Sequence, residues 1–242
     1  MISTYFRLLS TERLKLMRSP VWLLLLISPA IALLLGVTQG GGAGWPELLL
    51  MMVYGHALLF LPIMTGVLGA FVCRFEHAGG GWKQLLVLPV SRTGLYIAKF
   101  TVIMLMLAIL QLLFLGAVLA AGWFLKLSGP LPWFIMAKSL MLGWIACMPL
   151  AALQLLVSFL WSSFAAPLAL NIALTIPNML IINSQHIGPL YPWAQPLLLM
   201  IPSGGEQFGA FQVPLPTIFT VVICSLALCM GAGWFTFNRK EI

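Results

Sequence analysis

Long apolar runs separated by short polar stretches dominate the pattern of the chain. Most of the runs reach the length of about 20 residues that an α-helix needs to cross the hydrocarbon core of a bilayer. They predict six spans, at residues 21–37, 48–72, 100–125, 133–160, 165–182 and 215–237. The pattern therefore predicts an all-α polytopic membrane protein, with a single transmembrane domain over residues 1–242.

Residues 1–20 alternate basic and apolar positions. Placed on a helix, the apolar positions share one stripe and the basic positions lie elsewhere around it. The stripe consists of Ile2, Tyr5, Phe6, Leu9 and Leu16, and the basic residues are Arg7, Arg13, Lys15 and Arg18. This pattern is typical of an interfacial helix lying against anionic lipid. A positively charged flank that only fixes orientation is an equal alternative.

Two further segments separate the spans. Residues 74–99 are basic and carry a glycine run, and we expect them to form a cytoplasmic loop. Residues 183–214 are rich in proline around the apolar stretch 196–201. The prolines prevent a regular span and the apolar stretch argues against a free loop. A re-entrant or interfacial hairpin on the outer face is therefore favoured over a proline-rich surface loop.

Charge gives these segments an orientation. The chain is 62% hydrophobic and 7% charged, with a net charge of +7, and its Lys and Arg residues flank apolar runs. Because basic residues collect on the cytoplasmic side, both termini are predicted there. The predicted cytoplasmic residues are Arg7, Arg13, Lys15, Arg18, Arg74, Lys83, Arg92, Lys99, Arg239 and Lys240. A nucleic-acid partner is not indicated, since no folded soluble face carries the charge.

Polar residues inside the predicted spans are few. His56 lies in the second span, and Asn171, Thr175 and Asn178 share one face of the fifth. Such side chains must face protein or a water-filled path, not lipid. They therefore form interhelical hydrogen bonds, or they line a substrate path or a dimer interface. We expect no buried acid that could bind a coupling ion.

The loop between the second and third spans contains the most specific pattern. Glu76 is its acid, and a short helix beginning at Trp82 and ended by Pro89 follows the glycine hinge 79–81. Ser91 is placed to cap the next helix. A short helix carrying aromatic and basic side chains suits docking into a groove on a soluble partner. The alternative is a positively charged loop that only fixes topology.

The same loop resembles that of a known family. Its stretches WKQLL (82–86) and LPVSR (88–92), with Glu76 before them, are similar to the loop of ABC-2 (type-two) ABC transporter permeases. The subfamily most resembled is the lantibiotic-immunity or bacitracin-type exporter permeases. The opening ERLK (12–15) also resembles the amphipathic N-terminal helix of that family.

The resemblance implies a non-catalytic permease of the bacterial cytoplasmic membrane that exports a lantibiotic or another amphiphile. Two ABC ATPase subunits would bind ATP and Mg²⁺, so the chain itself would need no cofactor, and a second permease, identical or paralogous, would complete the transporter. The residues implied in coupling to the ATPase are Glu76, Trp82, Lys83, Leu85, Leu86, Pro89, Ser91 and Arg92. Trp82 and Leu85 would be the anchors buried in the partner, because aromatic anchors dominate such docking.

Two other classes compete with this interpretation. A secondary transporter or channel would work without an ATPase, but it would need buried ion-binding groups or repeated halves. An intramembrane enzyme is disfavoured, because the chain contains no Asp and no His-Glu-x-x-His metal motif. No metal site is predicted, and the four cysteines are interpreted as small apolar residues.

Overall fold

The computed structural model describes residues 2–17, 19–77, 81–82, 91–201 and 209–239 of the 242. Within these ranges the fold is helical and has no strand. The helices are α1 (Ile2–Met17), α2 (Val21–Gln39), α3 (Trp45–Gly55), α4 (Leu61–His77), α5 (Arg92–Phe124), α6 (Trp133–Leu160), α7 (Ala165–Thr175), α8 (Asn178–Ile181), α9 (Gln195–Met200) and α10 (Leu215–Arg239). A π-helical turn (His56–Phe60) joins α3 to α4, and a 3₁₀ turn (Gly209–Gln212) precedes α10.

Five described segments are long and apolar enough to cross a membrane. They are Val21–Gln39, Trp45–His77, Arg92–Phe124, Trp133–Leu160 and Leu215–Arg239. These segments match five of the six predicted spans. The third differs most from its prediction, because α5 begins at Arg92 and not at residue 100. Lys99 is therefore part of a helix and not part of a loop.

The predicted fifth span, 165–182, is not confirmed. It consists of the shorter helices α7 and α8, which are separated at Ile176 and Pro177. Proline has no backbone N–H and disfavours helical geometry in the residue before it, so the helix is interrupted there. Pro62 similarly follows the π-helical turn and marks the change from α3 to α4.

The spanning helices pack around the segment Trp45–His77, most of which is buried. Helix α2 packs on α5, whereas α6 packs on α4 and α10. Helix α9 lies inside the bundle, against α6 and the π-helical turn, and all six of its residues are buried. Helix α1 packs on α5. This arrangement brings α1, the end of α4 and the start of α5 together, at the base of the predicted loop.

Candidate functional site: a buried charge cluster at the base of the loop

Four charged side chains meet where α1, α4 and α5 converge: Glu12, Lys15, Glu76 and Lys99. We call them the charge cluster. The Lys15 ammonium lies 2.8 Å from Glu12 and 2.6 Å from Glu76, and the Lys99 ammonium lies 3.1 Å from Glu12 and 2.9 Å from Glu76. Each base therefore bridges both acids, and the four formal charges sum to zero.

The central ion pair of the cluster, between Lys99 and Glu76, is almost completely buried. The Lys99 side chain is 1% exposed and that of Glu76 is 2% exposed. Removing charges from water costs several kcal/mol per ion, so a buried charge persists only with close partners and further hydrogen bonds. Lys99 has a further partner, because its ammonium donates to the backbone carbonyl of Val72 at 2.8 Å. The cluster thus ties three helices together, and Glu12, Glu76 and Lys99 are almost completely shielded from water, whereas Lys15 is partly exposed.

These buried acids bear on the alternative of a secondary transporter. The expectation was that no buried acid could bind a coupling ion, and both Glu12 and Glu76 are buried. Each is engaged by two ammonium groups, which already supply the countercharge that a transported cation would otherwise provide. The carboxylates are therefore arranged as structural ion pairs and not as an open cation site. Among the described residues, no group of three His, Cys or acidic side chains could hold a metal ion.

Trp82 also lies differently from its predicted role as an anchor in a partner. Its side chain is 6% exposed, and its ring lies 5.1 Å from that of Phe159 and 5.6 Å from that of Phe237. The indole N–H donates to Nδ1 of His77 at 3.2 Å, and the Lys99 ammonium lies 5.7 Å from the ring. Trp82 is thus anchored in its own chain, because the meeting of α6 and α10 provides an apolar site beside the cluster.

The other residues predicted for coupling fall into two groups. Ser91 caps α5 as predicted, since its hydroxyl accepts the backbone N–H of Gly94 at 3.0 Å. Arg92 donates to the carbonyl of Asn238 at 3.1 Å, at the end of α10, where a cation also complements the helix dipole. Lys83, Leu85, Leu86 and Pro89 lie outside the described residues.

The polar face of the predicted fifth span is buried as a unit. The amide of Asn171 donates to the carbonyl of Pro62 at 3.0 Å, and that of Asn178 donates to the carbonyl of Leu58 at 3.0 Å. Thr175 donates within its own helix, to the carbonyl of Asn171. These contacts favour interhelical hydrogen bonding over a substrate path or a dimer interface, because the donor groups are taken up within the chain.

His56 lies in a second buried polar group, inside the bundle. Its Nδ1 lies 2.6 Å from the hydroxyl of Ser28, and its Nε2 lies 3.2 Å from Oε1 of Gln111. Since the amide oxygen can only accept, Nε2 carries the proton and Nδ1 accepts from Ser28. The ring also stacks on Phe114 at 4.0 Å. These contacts account for His56 as a packing residue within the span.

An aromatic cavity of about 940 Å³ lies at the end of the bundle opposite the charge cluster. Its polar and aromatic lining consists of Trp45, Trp123, Phe124, Lys126 and Trp133. Lys126 has a φ of 53°, a left-handed conformation at the end of α5 where glycine is the usual residue. The buried indole N–H of Trp45 has no hydrogen-bond partner among the described residues.

Sequence reasoning missed three members of the charge cluster. Glu12, Lys15 and Lys99 were assigned to an amphipathic helix or to a topology signal. One available signal was the rarity of acids, because the chain has five and only Glu12 and Glu76 adjoin the predicted cytoplasmic ends of the first two spans. Acids placed beside apolar runs need basic partners, and Lys15 and Lys99 adjoin the same runs.

The comparisons with known proteins agree with this architecture. A sequence model of the ABC-2 family transporter proteins matches residues 8–178, which include α1 from residue 8 onward, the charge cluster and the helices through the start of α8. A search of individually curated proteins found no match to the chain.

Proposed function

Because the chain belongs to the ABC-2 family of transporter proteins, we propose that it is the membrane-spanning, non-catalytic permease subunit of an ATP-driven exporter. Family membership implies an ABC ATPase as partner. In our proposal two ATPase copies bind ATP and Mg²⁺, and a second permease, identical or paralogous, completes the transporter. The proposed location is the bacterial cytoplasmic membrane, with the loop 74–99 on the ATPase side.

The charge cluster is the observation that carries the coupling proposal. Glu76 lies one residue before the described end of α4, on one side of the loop, and Lys99 lies in α5, on the other side, while both residues are paired to α1. A push on the loop therefore reaches α1, α4 and α5 together, because the buried ion pairs resist separation. The cluster converts one docking contact into a concerted movement of three helices.

The residues that face the ATPase are accordingly reassigned within the loop. Trp82 holds the base of the loop against α6 and α10, whereas Lys83, Leu85, Leu86 and Pro89 supply the docking surface. Leu85 and Leu86, close to Lys83 in sequence, suit a groove on the ATPase with an apolar floor and an acidic rim. Glu76 and Arg92 act from within the permease, through their contacts with α1 and α10.

Comparing two changes in the loop tests this division of roles. Leu85→Ala with Leu86→Ala is expected to leave the permease inserted but to abolish co-purification of the ATPase. Trp82→Phe preserves the ring contacts with Phe159 and Phe237, and it is expected to retain the ATPase at wild-type yield. Full ATPase recovery with the double leucine variant, or its complete loss with Trp82→Phe alone, would contradict the assignment.

The substrate class that we propose is a lantibiotic or another antimicrobial amphiphile, whose export gives self-immunity or resistance. The aromatic cavity supports this class, because it offers several aromatic faces and the single cation of Lys126. An amphipathic peptide could place apolar side chains on Trp123 and Trp133 and a carboxylate near Lys126. The test is transport of a fluorescent antimicrobial peptide into inverted vesicles that contain the permease and its ATPase.

A secondary transporter or channel is the competing function. Proteoliposomes containing this chain alone, with an ion gradient and no nucleotide, distinguish the two. The exporter predicts no transport under these conditions and full dependence on ATP once the ATPase is added. Gradient-driven transport by the chain alone would replace the exporter proposal.

A further inference from the structure

A groove of about 520 Å³ lies between α1 and α5, and its lining includes none of the four residues of the charge cluster. We propose that this groove is a specific site for an anionic phospholipid, with an acyl chain lying between α1 and α5 and the phosphate on Arg13. The inference concerns residues outside the coupling loop and does not depend on the proposed ATPase.

Two helical stripes form the walls of the groove. On α1 the lining positions include Phe6, Leu9 and Leu16, and on α5 they include Leu105 and Leu112. Spacings of three and seven residues place each set on one helix face. Phe6, Leu105 and Leu112 are each more than half exposed, so apolar surface at this site lacks a cover within the described chain. A hydrocarbon chain supplies the missing contacts.

Arg13 makes the groove different from an ordinary lipid-facing surface. It lines the groove together with Leu9 and Leu16, although the sequence pattern predicted it away from the apolar stripe. Residues 6, 9, 13 and 16 recur at helical spacing, which explains why the side chain lies on this face. Among the described residues no carboxylate pairs with Arg13, because Glu12 and Glu76 are engaged by the two lysines. The groove thus presents one unneutralised cation above an apolar channel.

This combination selects the chemistry of the occupant. A phosphate accepts the parallel donors of a guanidinium, and the attached acyl chain gains free energy with each CH₂ that it buries. Trp22 lines one end of the groove, and an indole there is typical of the level of lipid headgroups. A peptide helix would need an acidic residue at one fixed position on an otherwise apolar face. A phospholipid meets both requirements without a special sequence.

The site would also fix the position of α1. Helix α1 is held on α5 by two polar contacts. Glu12 pairs with Lys99, and the hydroxyl of Tyr5 lies 2.8 Å from the hydroxyl of Thr101. An acyl chain in the groove adds a second set of contacts between α1 and α5. Occupancy by lipid is therefore expected to stabilise the packing of α1 on α5.

The experiment compares two arginines of the same helix. Full-length protein in mild detergent is titrated with phosphatidylglycerol and with phosphatidylcholine, and bound lipid is counted by native mass spectrometry. Arg13→Gln is expected to weaken phosphatidylglycerol binding about tenfold, a factor that corresponds to about 1.4 kcal/mol. Arg7→Gln, an exposed position outside the groove, is the matched control and is expected to retain wild-type affinity. Equal losses in both variants would indicate diffuse surface attraction and overturn the site.

A second pair of variants tests the apolar channel. Ala108 lines the groove, so Ala108→Phe is expected to fill it and to remove at least half of the bound phosphatidylglycerol. Ala120→Phe, at an exposed position on the same helix, is the control and should leave binding unchanged. Undiminished lipid binding by Ala108→Phe would overturn the proposal. So would a dimer that dissociates on this substitution, because the occupant would then be a second copy of the chain.

Discussion

Lys99, in α5, places its ammonium 2.9 Å from Oε1 of Glu76, one residue before the described end of α4, and both side chains are almost completely buried. The pair links the two helices on either side of the loop. Two residues of α1 bind the same pair: Lys15 binds Glu76, and Glu12 binds Lys99. Glu76 and Lys99 therefore each have a second ion-pair partner when the loop moves. The base of the loop therefore behaves as one rigid junction.

The first prediction concerns this pair. Glu76→Gln leaves the buried ammonium of Lys99 and the partly exposed one of Lys15 with a single carboxylate, and it is expected to lower the free energy of unfolding by about 3–5 kcal/mol. Lys99→Met should cost a similar amount. The double variant is expected to lose clearly less than the sum, because its remaining charges, Lys15 and Glu12, still balance. The measurement is thermal unfolding of the purified protein in detergent.

Glu47→Gln is the matched control for these single and double variants. Glu47 is an exposed acid at the start of α3, at the far end of the same helical segment. Its substitution should change stability by less than about 0.5 kcal/mol, as is usual at exposed positions. If the double variant lost as much stability as Glu76→Gln and Lys99→Met together, the two side chains would not form a coupled pair.

The second prediction concerns the close approach of α7 to α4. A methyl group on Gly66 would lie 2.1 Å from Nδ2 of Asn171, so Gly66→Ala must displace the amide from the carbonyl of Pro62. We expect a loss of about 1–3 kcal/mol, the cost of overpacking a well-packed core. Gly116→Ala in α5 is the control, because no atom lies within 4 Å of its added methyl group.

Gly116→Ala is expected to be neutral or stabilising, since alanine is the better helix former by about 1 kcal/mol. Unfolding midpoints of the two variants in the same detergent provide the comparison. If Gly66→Ala were as stable as Gly116→Ala, the hydrogen bond between Asn171 and α4 would not be the contact that holds α7 in place.

Local features of the fold could be predicted from the sequence, whereas contacts between distant helices could not. Ser91 was identified as a cap because its hydroxyl and its acceptor site lie within one turn. The shared face of Asn171 and Asn178 followed from helical spacing. The pair of Glu12 and Lys99 spans 87 positions of the chain, and no periodicity encodes which distant helix receives a charge.

The packing of Trp82 depends on distant parts of the chain. Trp82 was predicted to dock in a partner because aromatic anchors dominate docking energy, whereas the rings that it contacts, Phe159 and Phe237, come from helices far along the chain. The assignment of Arg13 to the polar face, in contrast, could have been avoided. Its spacing from Phe6 and Leu9 already places it on their side of α1.

The third prediction concerns the carbonyl of Leu58. It stands four residues before Pro62, whose nitrogen cannot donate, and the Asn178 amide donates to it at 3.0 Å. Asn178→Ala is expected to cost about 1–3 kcal/mol, because the carbonyls of Leu58 and Trp193 both lose the amide as a donor. In the Pro62→Ala variant, the backbone N–H of residue 62 can donate to the carbonyl of Leu58. Asn178→Ala should therefore destabilise this variant less than it destabilises the wild type. Equal costs in both backgrounds, measured by thermal unfolding, would show that Asn178 does not replace the donor lost at Pro62.

The last prediction separates strain from function at Lys126. Its φ of 53° is unfavourable for any residue with a side chain, by about 1–2 kcal/mol, and glycine removes that penalty. Lys126→Gly is therefore expected to raise the unfolding midpoint, whereas Lys126→Ala keeps the strain and should not. Both variants remove the cation from the aromatic cavity. If the cavity receives the carboxylate of an amphiphilic peptide, both should lose transport equally, although only one gains stability. Wild-type transport by the stabilised glycine variant would exclude Lys126 from substrate binding, and the left-handed lysine would then be only a strained helix end.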